Sequence, residues 1–264
     1  MVMKKYFKIY SLLLKNAFSR DAHYRADTIM HWATHVIWLG MLYILVDVLF
    51  RHTNVVAGWD KASVFFLMNI FILSQQIFLF FFRDNLWQIP NTITDGRLDQ
   101  YLVTPANTIF LLVSKQISLR ATGRILTQMI LLIWLVVHYN LIPSIMSGII
   151  LFFLVILGII VQLAHGMILN TLSFWFLRID NIHEAWFWFA QAGKYPLTVL
   201  PKTLWVATYT ILPIAYQNFI PVGVGLGKLD LSFIGVSLLY TIGLSLLAIQ
   251  FWHLGLRRYA SASS

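Results

Sequence analysis

Four side chains able to bind a metal or pass a proton recur every four residues near the start of the chain: His23, Asp27, His31 and His35. That spacing stacks them on one face of a helix, where imidazole and carboxylate can share a ligand or relay a proton. No second ligand cluster completes a coordination shell, so a polar seam facing other helices or headgroups is the preferred reading, and no metal site is assigned. Gly223-Val-Gly-Leu-Gly-Lys228 approaches a phosphate-cradling loop, which requires Gly, four residues, then Gly-Lys-Ser/Thr. Val222 stands at the first glycine position and Leu229 replaces the hydroxyl, so the segment reads as a turn. Neither a Gly-x-Ser-x-Gly elbow nor a His-Glu-x-x-His pair occurs, which leaves an intramembrane hydrolase without a nucleophile or a metal. Gln75, Gln76, Gln162, His165 and Asn170 lie inside apolar stretches, where polar side chains bond between helices or line a path. Asp47, one helical turn from Arg51, is placed for a local ion pair.

Composition sets the elements that carry these residues. Of 264 residues, 59% are hydrophobic and 11% charged, and the mean hydropathy is +0.75. Soluble domains carry about 25% charged residues. This chain cannot cover a water-facing surface, and the expected class is an all-α membrane protein. A span needs about 20 apolar residues. Residues 29–50, 62–82, 145–176 and 231–252 meet that length, and 117–137 is a fifth span with Arg120 and Arg124 snorkelling from its first turns. Residues 186–221 are apolar too, but Pro196, Pro201, Pro213 and Pro221 each kink or end a helix there. They read as a short sixth span leading into a re-entrant helical hairpin (195–221, beginning at Tyr195), tolerated at membrane depth only under cover of protein or a watery cavity.

With both ends on one side, fourteen of the nineteen Lys and Arg fall on that side and five on the other. The positive-inside rule then puts both termini in the cytoplasm. This distribution accounts for the net charge of +9; nucleic-acid binding would need a basic patch on a folded polar surface, and no segment offers one. Trp32, Trp59, Trp87, Trp175 and Trp252 fall near span ends, as interfacial anchors do. The absence of cysteine excludes disulfides and thiolate metal sites. No Asp or Glu lies near the centre of a clear span, where ion-driven carriers hold theirs. An ATP-independent secondary carrier or channel is therefore the alternative reading, behind one in which energy comes from another protein.

Two cytoplasmic elements stand out. Residues 1–27 carry Tyr6, Tyr10, Leu13, Leu14, Ala17 and Phe18 at helical spacing among lysines, the pattern of an amphipathic helix lying in the interface. Residues 83–116 form the longest polar connection. Asp95-Gly-Arg-Leu-Asp-Gln-Tyr-Leu102 can make a short helix after Gly96 that ends before Pro105, a natural docking surface for a soluble partner.

Gly58-Trp59, Gly96-Arg-Leu-Asp99, Leu102-Val-Thr-Pro105, Tyr195-Pro-Leu197, Ile211-Leu-Pro-Ile-Ala215, Phe219-Ile-Pro221 and Leu256-Arg-Arg-Tyr259 run in order along almost the whole chain. Together they resemble the membrane subunit of type-2 ABC transporters, in a bacterial branch of such permeases. The resemblance implies one permease domain over 1–264, a multi-pass protein of the bacterial inner membrane that is not itself an enzyme. It implies that Asp95, Gly96, Arg97, Leu98, Asp99, Tyr101 and Pro105 form a coupling helix seated in a separate ABC ATPase. That partner would hold ATP and Mg; this chain would hold no cofactor. It further implies that Tyr195, Pro196, Pro201, Pro213 and Pro221 shape a cap over the outer side of the pathway. A second permease chain, identical or related, would complete an exporter of amphipathic or lipid-like substrates.

Overall fold

The computed structural model describes residues 10–12, 25–176 and 180–259. The expected interfacial helix before residue 25, His23 and Arg178 lie outside these residues, apart from a helical fragment at 10–12.

Helix α1 (Arg25–Phe50) ends where the Asp47 carboxylate pairs with Arg51, at 3.2 Å, and with Lys61. A two-residue hairpin follows: β1 (Val55–Val56) pairs antiparallel with β2 (Trp59–Asp60). Its turn residues Ala57 and Gly58 both have positive φ, 50° and 86°, the conformation a tight hairpin of this hand needs.

Asp60 then caps α2 (Lys61–Phe78), accepting from the Ser63 amide at 3.2 Å and facing Lys228 at 3.4 Å. Burial pushes the Asp60 carboxyl up. The Ser63 hydrogen bonds and the Lys228 charge outweigh it and hold the group below the usual carboxylate range. Asp60→Ala should destabilise the protein by about 1 kcal/mol in thermal unfolding in detergent at neutral pH. A carboxylate lowered in the folded state stabilises above its unfolded value, near pH 4, and loses that contribution as pH falls through the folded value. The gap between wild type and variant should therefore close in acid.

Helix α2 is buried without a break from Ser63 to Ser74, so it forms the centre of the bundle. A π-turn (Leu79–Arg83) carries it into α3 (Asp84–Trp87) and α4 (Ile89–Thr94), whose first turn accommodates Pro90. Beyond a turn at Gly96 come α5 (Asp99–Leu102) and α6 (Thr108–Val113), the latter capped by Asn107, which accepts from the Phe110 amide at 3.0 Å. Helix α7 (Thr122–Tyr139) ends at Asn140 in the left-handed conformation, with Pro143 just beyond. Ser144 caps α8 (Ile145–Thr171).

The proline-rich region divides into α9 (Asp180–Ala190), α10 (Lys202–Tyr209), a π-turn (Ala215–Phe219) and α11 (Ile220–Gly225). Helix α12 (Ser232–Leu256) completes the order. The Gly223–Lys228 stretch is the end of α11: the amides of Lys228 and Leu229 both donate to the Gly223 carbonyl, at 2.7 and 2.9 Å.

Among the described residues five helices are long and apolar enough to cross a membrane: Ile29–Phe50, Lys61–Thr94, Leu119–Tyr139, Ile145–Phe174 and Ser232–Leu256. The second runs twelve residues past its expected end at 82, because the π-turn absorbs the change from apolar to polar sequence without breaking the helix. Large apolar side chains such as Ile37, Met41, Ile130 and Leu239 are exposed, the outer surface that acyl chains would cover.

Two large cores hold the bundle, with a small third cluster of Leu39, Phe71 and Ile72 between α1 and α2. One joins α2 and α8 to residues 214–224, with Phe66, Leu67, Leu154, Phe219 and Val222 at its centre. The other joins Phe78, Ile89, Leu98, Met167 and Trp252 at the opposite end.

Candidate functional site

The polar connection after α4 is built to present a rigid turn. The Thr94–Asp95 end of α4 reverses through Gly96 at φ +72°, a conformation glycine adopts without the strain a Cβ would bring. The Leu98 amide donates back to the Thr92 carbonyl at 3.0 Å, and its side chain is fully buried in the second core. Leu98 is thus the anchor that points inward. Asp95 and Arg97 point outward, both about half exposed, and pair with each other at 2.6 Å. An exposed pair of this kind contributes roughly 0–1 kcal/mol and yields readily to another partner. Leu102 and Val103 follow at 42% and 81% exposure, with Pro105 exposed beyond them. Asp95, Arg97, Leu102 and Val103 therefore combine a charged rim with an apolar tip outside the spans.

The turn is tied to the bundle in two places. Asn85, on α3, donates to the carbonyls of Val113 and Gln116 at 2.9 and 2.8 Å and accepts from the Gln116 amide at 2.9 Å. Asp99 lies beside the Tyr259 hydroxyl. Burial first, and then the contact with the Asp99 carboxylate, holds that phenol above its usual range. Tyr101 is half-buried at the edge of the same core, with Lys115 6.0 Å from its ring. Phe174 closes the base: its ring meets Trp252 at 5.2 Å and Tyr259 at 6.2 Å, and it lies where a Cβ on Gly255 would be.

Within the spans, the polar residues divide. Gln162 donates to Gln75 at 3.0 Å, and Gln75 donates to Gln217 at 3.3 Å, an amide ladder from α8 through α2 to the π-turn before α11. Gln76 stands apart, its Oε1 buried without a partner. His165 packs its ring on Trp186, with centroids 4.0 Å apart. Asn170 donates to the Gly166 carbonyl at 2.7 Å within its own helix. On the N-terminal polar face, His35 meets Gln128 at 3.4 Å, and Asn69 donates to Gln128 at 2.8 Å. His31 is exposed, and His23 and the Asp27 side chain lie outside the described residues. Pro196, Pro213 and Pro221 are buried while Tyr195 and Pro201 are exposed. Among the described residues no three His, Asp or Glu come together as metal ligands.

A family model described as ABC-2 family transporter protein matches residues 36–263. The chain belongs to that family. Membership makes it the membrane component of an ABC transporter and implies an ABC ATPase partner. Neither a curated protein nor a solved structure matches it significantly.

In this ABC-2 family chain, sequence reading singled out Gln75 and Gln162 but missed Gln217, Asn218, Asn69, Gln128 and Asn85. The first two of these carried a signal: adjacent amides in an apolar run between Pro213 and Pro221. Gln75→Leu strands a donor on Gln162 and an acceptor on Gln217, and should cost about 1–2 kcal/mol. The triple leucine variant at 75, 162 and 217 strands nothing and should recover much of that loss. Thermal unfolding in detergent checks this; simple additivity of the three changes would remove the ladder.

Proposed function

We propose that this chain is the membrane-spanning subunit of an ATP-driven exporter, coupled to its ATPase through residues 95–105. The observation that carries the reading is the turn at Gly96, which holds Asp95, Arg97 and Val103 outward on a base fastened by Leu98 and Asn85. ATP and Mg belong to the partner. Closure of the ATPase dimer pushes on this turn, and the second core passes the displacement to α8 and α12 as a rigid movement.

In the same reading the chain is one permease domain with six spans and both termini cytoplasmic, in the bacterial inner membrane. The start of the 186–221 stretch rises as a short sixth span, and 195–221 re-enter as a hairpin capping the outer side. Support comes from the charge asymmetry of the flanks and from Gln217 and Asn218, which bind the hairpin's return to α2 and to the Gly193 carbonyl. A second permease chain completes the pathway, and the substrate is amphipathic or lipid-like.

Mild-detergent purification of the tagged chain from native membranes, with mass spectrometry of stoichiometric partners, tests this. A co-purifying P-loop ATPase is expected, together with a second permease copy or relative. Intact, active chain with no ATPase would overturn the reading.

A further inference from the structure

Three arginines gather near the start of the third span. Arg83 closes the π-turn after α2, while Arg120 and Arg124 sit in the turn Leu119–Ala121 and the first turn of α7. Arg124 is close enough to act electrostatically on Arg83, and Arg120 on Arg124. The carboxylates facing Arg83 are Asp84 and Glu184. Neither makes an ion pair among the described residues, and Glu184 accepts instead from the Trp188 indole at 2.9 Å. Among the described residues the buried Nε atoms of Arg83 and Arg124 meet no acceptor. A buried cationic N–H without a partner is unfavourable, so acceptors from outside the chain would relieve both.

The surroundings say what kind of acceptor fits. The Arg83 guanidinium lies over the rings of Trp87 and Phe187, 4.6 and 5.6 Å from their centroids. Stacking of this kind occupies a face of the planar group and leaves its edge donors in plane, the geometry that takes an oxyanion two bonds at a time. Trp87 also lines a cavity of about 470 Å³ with Asp84, Gln88, Gln116 and Arg120. It is an open groove, wide enough for a phosphate group with a small alcohol attached.

The geometry points to a binding site for the headgroup of an anionic phospholipid, phosphatidylglycerol in type, with its phosphate on Arg120 in that cavity and the positive charges of Arg83 and Arg124 behind it. The glycerol hydroxyls of that headgroup are donors, which suits Asp84 and Gln88 in the same cavity. A lipid rather than a free anion fits because Arg120 and Arg124 open the span Leu119–Tyr139, beside a partly exposed tryptophan. Assignment to the inner leaflet rests on the orientation proposed above; the binding itself does not.

The test is native mass spectrometry of the full chain in neutral detergent, titrated with dioleoyl phosphatidylglycerol or dioleoyl phosphatidylcholine. Selective retention of one phosphatidylglycerol per chain is expected. Arg120→Gln and Arg124→Gln should each weaken it about tenfold, as loss of a charge-assisted hydrogen bond does, and Arg120→Lys should keep most of it. Arg120 is exposed, so its variants leave the fold intact even if Arg124→Gln does not. Equal binding of phosphatidylcholine, or unchanged affinity in Arg120→Gln, would overturn the site. Displacement of the lipid by equimolar inorganic phosphate would reassign it to a soluble anion. No ATPase is needed, so failure here leaves the coupling surface untouched, and loss of the coupling surface leaves this site standing.

Discussion

Gly158→Ala is expected to destabilise this permease more than any other single alanine substitution at a helical glycine facing backbone. A Cβ at 158 would lie 2.5 Å from the Tyr216 carbonyl oxygen and 2.9 Å from the Gln217 Cα. Both are backbone atoms, so no side-chain rotation relieves the overlap; α8 and the π-turn before α11 must separate. Overpacking of this kind costs typically 1–3 kcal/mol, and here it also pulls Gln217 from Gln75, adding an unpaired buried amide. Inside a bilayer this contact matters more than its size suggests. Lipid tails are as apolar as leucine, so helices are held by close approach and hydrogen bonds rather than by the hydrophobic effect. The controls are Gly40, Gly235 and Gly243, where a Cβ meets nothing within 4 Å. Alanine there should be neutral or stabilising by up to about 1 kcal/mol, because glycine lowers helix stability by that amount. Thermal unfolding of the four variants in one detergent decides it; Gly158→Ala melting with the controls would mean that the 215–225 segment is not seated on α8.

The second large effect concerns the turn at Gly96. Asp95→Arg combined with Val103→Asp should abolish ATPase co-purification, with at least a tenfold loss of affinity, while membrane insertion and thermal stability stay near wild type. Val103, 81% exposed, touches little of its own chain, so its replacement leaves the fold alone. A charge forced into an apolar groove of a partner is strongly unfavourable. Arg97→Ala should do far less, because it removes only half of an exposed pair. Leu98→Ala should behave in the opposite way: it empties a fully buried position and should cost about 2–5 kcal/mol of stability. Retained ATPase binding in the double variant would place the contact elsewhere on the chain.

The contrast between Val103 and Leu98 also marks where sequence stops being informative. Both are aliphatic residues five positions apart in one polar connection, and nothing in their order says which turns outward. That is decided by the positive φ at Gly96 and by the Leu98 amide bonding back to Thr92. The five long helices, by contrast, were legible at once, because a bilayer demands about 20 apolar residues in a row and that demand is local. The charge bias of the flanks is local too. The Asp47–Arg51 pair needed only helical spacing.

Gln75 and Gln162 could be recognised as polar residues in apolar helices, but the third member of their ladder, Gln217 bonded to Gln75, lies far along the chain. The equal spacing of His23, Asp27, His31 and His35 suggested one functional face; in the fold His35 is buried against Gln128 on α7, and His31 is exposed. The three arginines above the proposed lipid site come from two helices separated by the whole 84–118 connection. Length, hydropathy and charge distribution are summed along the chain, so the sequence alone determined a multi-span α-helical membrane protein. Which amides meet, which glycine must stay bare and where cations converge depend on how the helices dock on one another, and only the tertiary structure decided that.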